Sequence, residues 1–97
     1  MGTNLETIRL ITVVNKLGLH ARPSAMLVQL ANQFQAELFV SREGEGDDEE
    51  VNAKSIMGVM MLAAASGTTL RFRAVGDDGE ALVDAVEKLF LSKFTEE

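Results

Sequence analysis

The sequence predicts an α+β domain, a two-layer arrangement in which one antiparallel sheet carries its helices on a single face, in the order β-α-β-β-α-β-α. Three observations predict it. Short runs rich in β-branched residues stand apart from longer runs whose apolar residues recur at helical spacing. Each helical run shows one apolar stripe, so each has one layer to pack against. Thr68 to Val75 sets Leu70, Phe72 and Ala74 against Arg71, Arg73 and Val75, so the sheet keeps one polar face. Helices gathered on the other face satisfy all three.

Ile8 to Val14 opens the series. Ile8, Leu10 and Val14 share one face, Ile11 and Val13 the other. The spacing predicts a strand covered on one face and largely shielded on the other. From Ala21 to Phe34, Leu27, Leu30, Ala31 and Phe34 fall at i, i+3, i+4 and i+7, the stripe of an amphipathic helix. Ala36 to Ser41 is a short β-prone run. Six of the eight positions from Glu43 to Glu50 are acidic, a segment that resists burial and reads as a solvated hairpin connection. Val51 to Ala53 forms a brief strand, and Ser55 suits the N-cap of a helix running from Ile56 to Ala65. Gly58 lies inside that helix, where glycine is costly, and so marks a close approach of a second backbone or a partner. After Thr68 to Val75, the turn Gly76-Asp77-Asp78-Gly79 leads to a last helix striped by Val83, Val86, Phe90 and Phe94. The chain reads as one domain over 1–97, with residues 1–6 and 43–50 mobile.

Composition limits what this domain does. Nine basic against fifteen acidic residues give a net charge of −6, which argues against general nucleic-acid binding and against docking on anionic membranes. The chain has no cysteine, so it has neither disulfide nor thiolate metal site, and no metal or cofactor is implied. The first residues lack the basic and apolar regions of a secretory leader, and no apolar run approaches the roughly 20 residues that span a bilayer. A cytoplasmic protein is expected.

The stretch that carries chemistry is Leu17-Gly18-Leu19-His20-Ala21-Arg22-Pro23-Ser24. Gly18 suits a tight exit from a strand, and Pro23 is tolerated in a first helical turn. His20, the single histidine, therefore falls at or beside a helix N-terminus, where backbone N–H groups favour an anion. Arg22 adds a permanent charge and a planar fork of donors. A neutral imidazole is a nucleophile, and once it attacked phosphorus the new charge would meet those donors. A surface histidine beside an ordinary helix start is the simpler alternative on spacing alone.

Gly18 to Ser24 resembles the active-site motif of the HPr family, the histidine phosphocarriers of the bacterial phosphotransferase system. Val51-Asn52-Ala53-Lys54-Ser55-Ile56-Met57-Gly58-Val59-Met60-Met61-Leu62 resembles that family's regulatory-serine motif. The resemblance spans about Ile8 to Phe94 and implies an open-faced β-sandwich. It also implies a phosphocarrier whose His20 takes a phosphoryl group on Nδ1 from enzyme I, charged by phosphoenolpyruvate, and passes it to an EIIA-type acceptor. Arg22 and the N–H groups of Ala21 and Arg22 would hold the phosphoryl group. Ser55 would be phosphorylated by the HPr kinase/phosphorylase, altering the charge of a docking surface made by Arg22, Ala25, Met26, Ile56, Met57 and Met60. The acidic hairpin is similar to the nitrogen-related branch, whereas the Ser55 block is similar to carriers under serine-kinase control. Ser24 stands where many relatives have alanine. A monomer is expected of a transient carrier. Two other readings compete: a regulatory binding module that uses the Ile56–Met60 surface without phosphoryl transfer, and an enzyme with His20 as general base, which lacks a second catalytic group at a recognisable spacing.

Overall fold

Strict alternation marks one of the two strands that sit inside the sheet. In the computed structural model, which describes residues 5–44 and 49–95, that strand is β4 (Thr69–Val75). It pairs antiparallel with β1 (Glu6–Thr12) on one side and with β2 (Glu37–Arg42) on the other. β3 (Val51–Asn52) adds to the far side of β2, giving the order β1-β4-β2-β3. Leu70, Phe72 and Ala74 of β4 are buried, together with Leu38 and Val40 of β2 and Ile11 of β1. Three helices cover that face: α1 (Ala21–Ala31), α2 (Ile56–Leu62) and α3 (Gly79–Leu91). They contribute Leu27 and Ala31, Val59 and Leu62, and Leu82, Val83, Val86 and Phe90 to a single core. Phe72 meets Phe90 edge-on at 5.7 Å, and Phe90 meets Phe94 at 4.9 Å. Burying aromatic rings in such pairs contributes beyond the area they remove from water.

The expected class and order are therefore those of the molecule, and the differences lie at element ends. Ile8 and Leu10 remain 45% and 49% exposed, not shielded, because no helix among the described residues lies on the outer face of β1. α1 stops at Ala31, and Phe34 reaches the core from the bends that follow. The helix expected to reach Ala65 stops at Leu62, where Ala63 takes a left-handed conformation (φ 48°, ψ 44°). Phe94 belongs to the last apolar stripe yet lies beyond α3, in a left-handed turn over Lys93–Thr95. The approach expected at Gly58 comes from this chain's own backbone, since a Cβ there would stand 3.0 Å from the carbonyl oxygen of Asn52.

The open face carries an ion-pair network that corrects the reading of the acidic run. The Glu50 side chain is only 9% exposed and accepts from Arg73 Nε at 2.8 Å and from Arg71 at 3.4 Å. Arg73 also meets Glu6 at 3.1 Å and lies 4.7 Å over the Phe39 ring. Two arginines supply the charge that makes covering a carboxylate tolerable, and the bond from Arg73 holds the Glu50 carboxyl below its usual range. Glu6, expected in a mobile terminus, is the first residue of β1, opposite Val75. The remainder of those expectations, at residues 1–4 and 45–48, falls outside the described residues.

Candidate phosphoryl site at the start of α1

The chain leaves β1 along a path fixed at three points before it reaches His20. Val13 exchanges backbone hydrogen bonds with Thr68 and Gly67, each at 2.8 Å. Asn15 is buried, and its Nδ2 donates to the Gly18 carbonyl at 2.6 Å while its own carbonyl accepts from Gly18 N–H at 3.1 Å. Leu19 N–H donates to the Ala64 carbonyl at 2.8 Å, which fastens this loop to the turn that ends α2. Gly18 passes so close to that turn that a Cβ would stand 2.5 Å from the Ala64 oxygen, and its φ of +73° lies where side chains are strained. The left-handed Ala63 that shortens α2 is thus part of what positions the loop.

His20 is the N-cap of α1 in extended conformation (φ −82°, ψ −167°), and its side chain makes no capping hydrogen bond. The first helical bond runs from Ser24 N–H to the His20 carbonyl at 3.0 Å. The N–H groups of Ala21 and Arg22 precede it and point out of the helix end, while Pro23 has none. Ser24 is buried, and its hydroxyl donates to the Leu19 carbonyl at 3.2 Å, so it ties the first turn back to the loop. The His20 ring is half-buried with Nε2 shut off from solvent. Beside it lies an open depression of about 350 Å³ lined by Leu17, Leu19, Met60 and the Ala63–Ala65 turn. Arg22 is exposed on the first turn of the same helix.

α2 brings the second predicted block next to this site. Ser55 is its N-cap, and the hydroxyl accepts from Gly58 N–H at 3.2 Å. Lys54 reaches away from it, donating through Nζ to the Phe34 carbonyl at 2.7 Å. Ile56, Met57 and Met60 are exposed by 39%, 73% and 45%, whereas Ala25 and Met26 on α1 are half-buried and Met26 packs on the core. Met60 alone of these five lines the His20 depression. Leu17 (74% exposed), the first residue of the stretch singled out in the sequence, lines the depression, and Met61 (77%) extends the apolar face of α2. Sequence reasoning missed Leu17's place in the depression and, altogether, Asn15, which braces Gly18. A polar residue three positions before a glycine turn was a legible signal for the last of them. Among the described residues no group of histidine, cysteine or carboxylate side chains could hold a metal, and no helix is long and apolar enough to cross a membrane.

Residues 8–92 match the family model described as the PTS HPr component phosphorylation site. The chain is 49% identical over 87 residues to the phosphocarrier protein HPr of Xylella fastidiosa, covering 90% of this chain and 93% of that one. It is similar in structure to HPr from Thermoanaerobacter tengcongensis, with a TM-score of 0.83, 44% identity and coverage of 94% and 98%. A second structure from that organism, titled as an HPr dimer, gives a TM-score of 0.68 at 45% identity over 87% of this chain and 92% of that one.

Proposed function

The chain belongs to the HPr family of phosphocarriers of the phosphotransferase system, and from that premise we propose that His20 takes a phosphoryl group from enzyme I and hands it to an EIIA-type acceptor. The observation that carries this reading is the N-cap position of His20, with its Nε2 buried and its side chain making no capping bond. With Nε2 shut off from solvent, Nδ1 is the ring nitrogen assigned to the phosphoryl group. Its lone pair attacks phosphorus with the ring proton held on Nε2, and the N–P bond forms as the donor's bond to phosphorus breaks. The phosphoryl oxygens gain charge next to the N–H groups of Ala21 and Arg22 and the Arg22 guanidinium, donors fixed by the helix before reaction. Passing the group on reverses these steps, so the chain needs no metal or cofactor of its own. A monomer presenting one His20 suffices.

Docking in this reading uses Arg22, Ala25, Met26, Ile56, Met57 and Met60, of which Arg22 on α1 and Ile56, Met57 and Met60 on α2 are exposed. Ser55 is the regulatory site, phosphorylated by an HPr kinase/phosphorylase. A phosphate on its hydroxyl would place about two negative charges at the edge of that apolar surface and weaken docking without touching His20.

Intact-protein mass spectrometry after incubation with phosphoenolpyruvate and enzyme I tests the carrier. One phosphoryl group, lost in acid and absent from His20→Ala, is the expected result. No adduct with an enzyme I of either the sugar or the nitrogen branch would refute it. A His20→Ala protein that still binds its partners as the parent does, with no labelling of either, would favour the binding module instead. Incubation with the kinase and ATP should add a phosphoryl group that His20→Ala retains and Ser55→Ala loses.

A further inference from the structure

Three of the chain's five methionines sit on the seven-residue α2. Met57, Met60 and Met61 fall at i, i+3 and i+4, so they share one helical face, and they are 73%, 45% and 77% exposed. Methionine usually fills gaps in a core; these three leave that role to Val59 and Leu62, the buried residues of the same helix. The chain has no cysteine, so no thiol competes with these thioethers for a two-electron oxidant. Met60 also lines the depression beside His20, so chemistry at this face reaches the phosphoryl site.

We propose that the exposed face of α2 is a methionine-oxidation site through which a hydroperoxide slows phosphoryl transfer at His20. In the reaction, a sulfur lone pair of Met57, Met61 or Met60 forms an S–O bond as the O–O bond of the hydroperoxide breaks. The sulfur is oxidised by two electrons, and the hydroperoxide is reduced to water or an alcohol. The product replaces a soft apolar side chain by a polar, chiral sulfoxide. The inference rests on the reading of α2 as the docking surface for phosphoryl partners. On such a surface a sulfoxide must lose its water when the partner arrives, with no partner group arranged to bond it. The helix itself need not change, because the buried contacts of α2 come from Val59 and Leu62. Reduction of the sulfoxides by methionine sulfoxide reductases restores the thioethers and makes the device reversible.

The experiment uses the whole chain and hydrogen peroxide. Peptide mapping during limited oxidation should place oxygen on Met57 and Met61 first, then on Met60, with half-buried Met26 lagging; the peptide carrying Met1 is scored apart. The oxidised protein, with an unchanged circular dichroism spectrum, should accept the phosphoryl group from enzyme I roughly tenfold more slowly at limiting concentration. Reductase treatment should recover the rate. The triple variant Met57→Leu/Met60→Leu/Met61→Leu should keep a treated-to-untreated rate ratio near one, whatever its own starting rate. Full-rate transfer by a protein carrying all three sulfoxides would overturn the proposal. So would a loss of rate that survives the reductases, or one that the leucine variant shares. If the untreated protein takes no label, the carrier reading fails and takes this inference with it, and that failure is visible before peroxide is added.

Discussion

Two helix starts in this chain share a backbone geometry and use their side chains in opposite ways. His20 and Ser55 are both N-caps in extended conformation, at φ −82°, ψ −167° and φ −113°, ψ 121°. Ser55 caps its own helix through Gly58 N–H, three residues on. His20 has Pro23 at the same offset, and proline has no N–H to cap. The difference thus starts in the sequence: Ser-Ile-Met-Gly offers the cap a donor, and His-Ala-Arg-Pro withholds it. One side chain is occupied by the helix it begins; the other makes no capping bond and stands on a loop that leaves β1 and is fastened to the turn ending α2. Loss of labelling in His20→Ala beside retention in Ser55→Ala is the all-or-none form of this contrast.

The loop offers the next largest way to break it. In Gly18→Ala the new methyl group meets the Ala64 carbonyl oxygen at 2.5 Å, and the residue keeps a φ of +73° that alanine resists. Backbone, not a flexible side chain, is what must move, so about 2–4 kcal/mol of stability should be lost in urea unfolding. The displaced Leu19–Ala64 bond should also slow phosphoryl uptake. Gly58→Ala is the matched control on the Ser55 helix. Its Cβ would stand 3.0 Å from Asn52 O, which offsets a gain of about 1 kcal/mol in helix propensity, and the net change should stay within about 1 kcal/mol. Equal losses in the two variants would mean that the His20 loop is no more constrained than the interior of α2.

Ser55→Ala sharpens the comparison from the other side. It removes the hydroxyl that accepts from Gly58 N–H, and about 1 kcal/mol should be lost in thermal or urea unfolding. His20→Ala removes no capping bond and should cost less. If the histidine variant proves the less stable of the two, the imidazole serves the fold as well as the chemistry.

Most of this contrast was legible in the sequence, for identifiable reasons. Apolar spacing marked both helices, Pro23 and Gly18 bounded the His20 loop, and Ser55 stood where a cap belongs. What stayed hidden depended on distant partners. α2 ends at Leu62 rather than Ala65 because Ala63 turns left-handed and the Ala64 carbonyl bonds Leu19, a contact across 45 residues that no local pattern announces. Glu50 read as one more solvated acid, and only the register that brings Arg71 and Arg73 beside it explains why it is covered. Ile8 and Leu10 read as shielded because composition does not say which face of a sheet lacks helices.

A third helix start supplies the smallest effect, one that appears only in acid. Asp78 is the N-cap of α3 but makes no side-chain bond to that helix. Its carboxylate instead accepts from Gln35 N–H at 2.9 Å and Ala36 N–H at 2.8 Å, clasping the segment between α1 and β2. The bond from Gln35, with that from Ala36, holds its pKa below the ordinary value. A depressed folded pKa means that the unfolded chain binds the proton more readily. The contribution to stability is therefore complete above the unfolded value of about 3.9 and is lost as pH falls through the folded one. The carboxylate lies near solvent, which screens the effect and keeps it small. Below pH ~4 the parent should lose stability more steeply than Asp78→Asn, which has no charge to surrender, and urea titrations at stepped pH measure the two slopes. A shared slope would mean that the Asp78 bonds do not depend on its charge. A steeper parent would show that Asp78 holds the neighbouring segment through its charge, whereas Ser55 spends its hydroxyl on the helix that it begins.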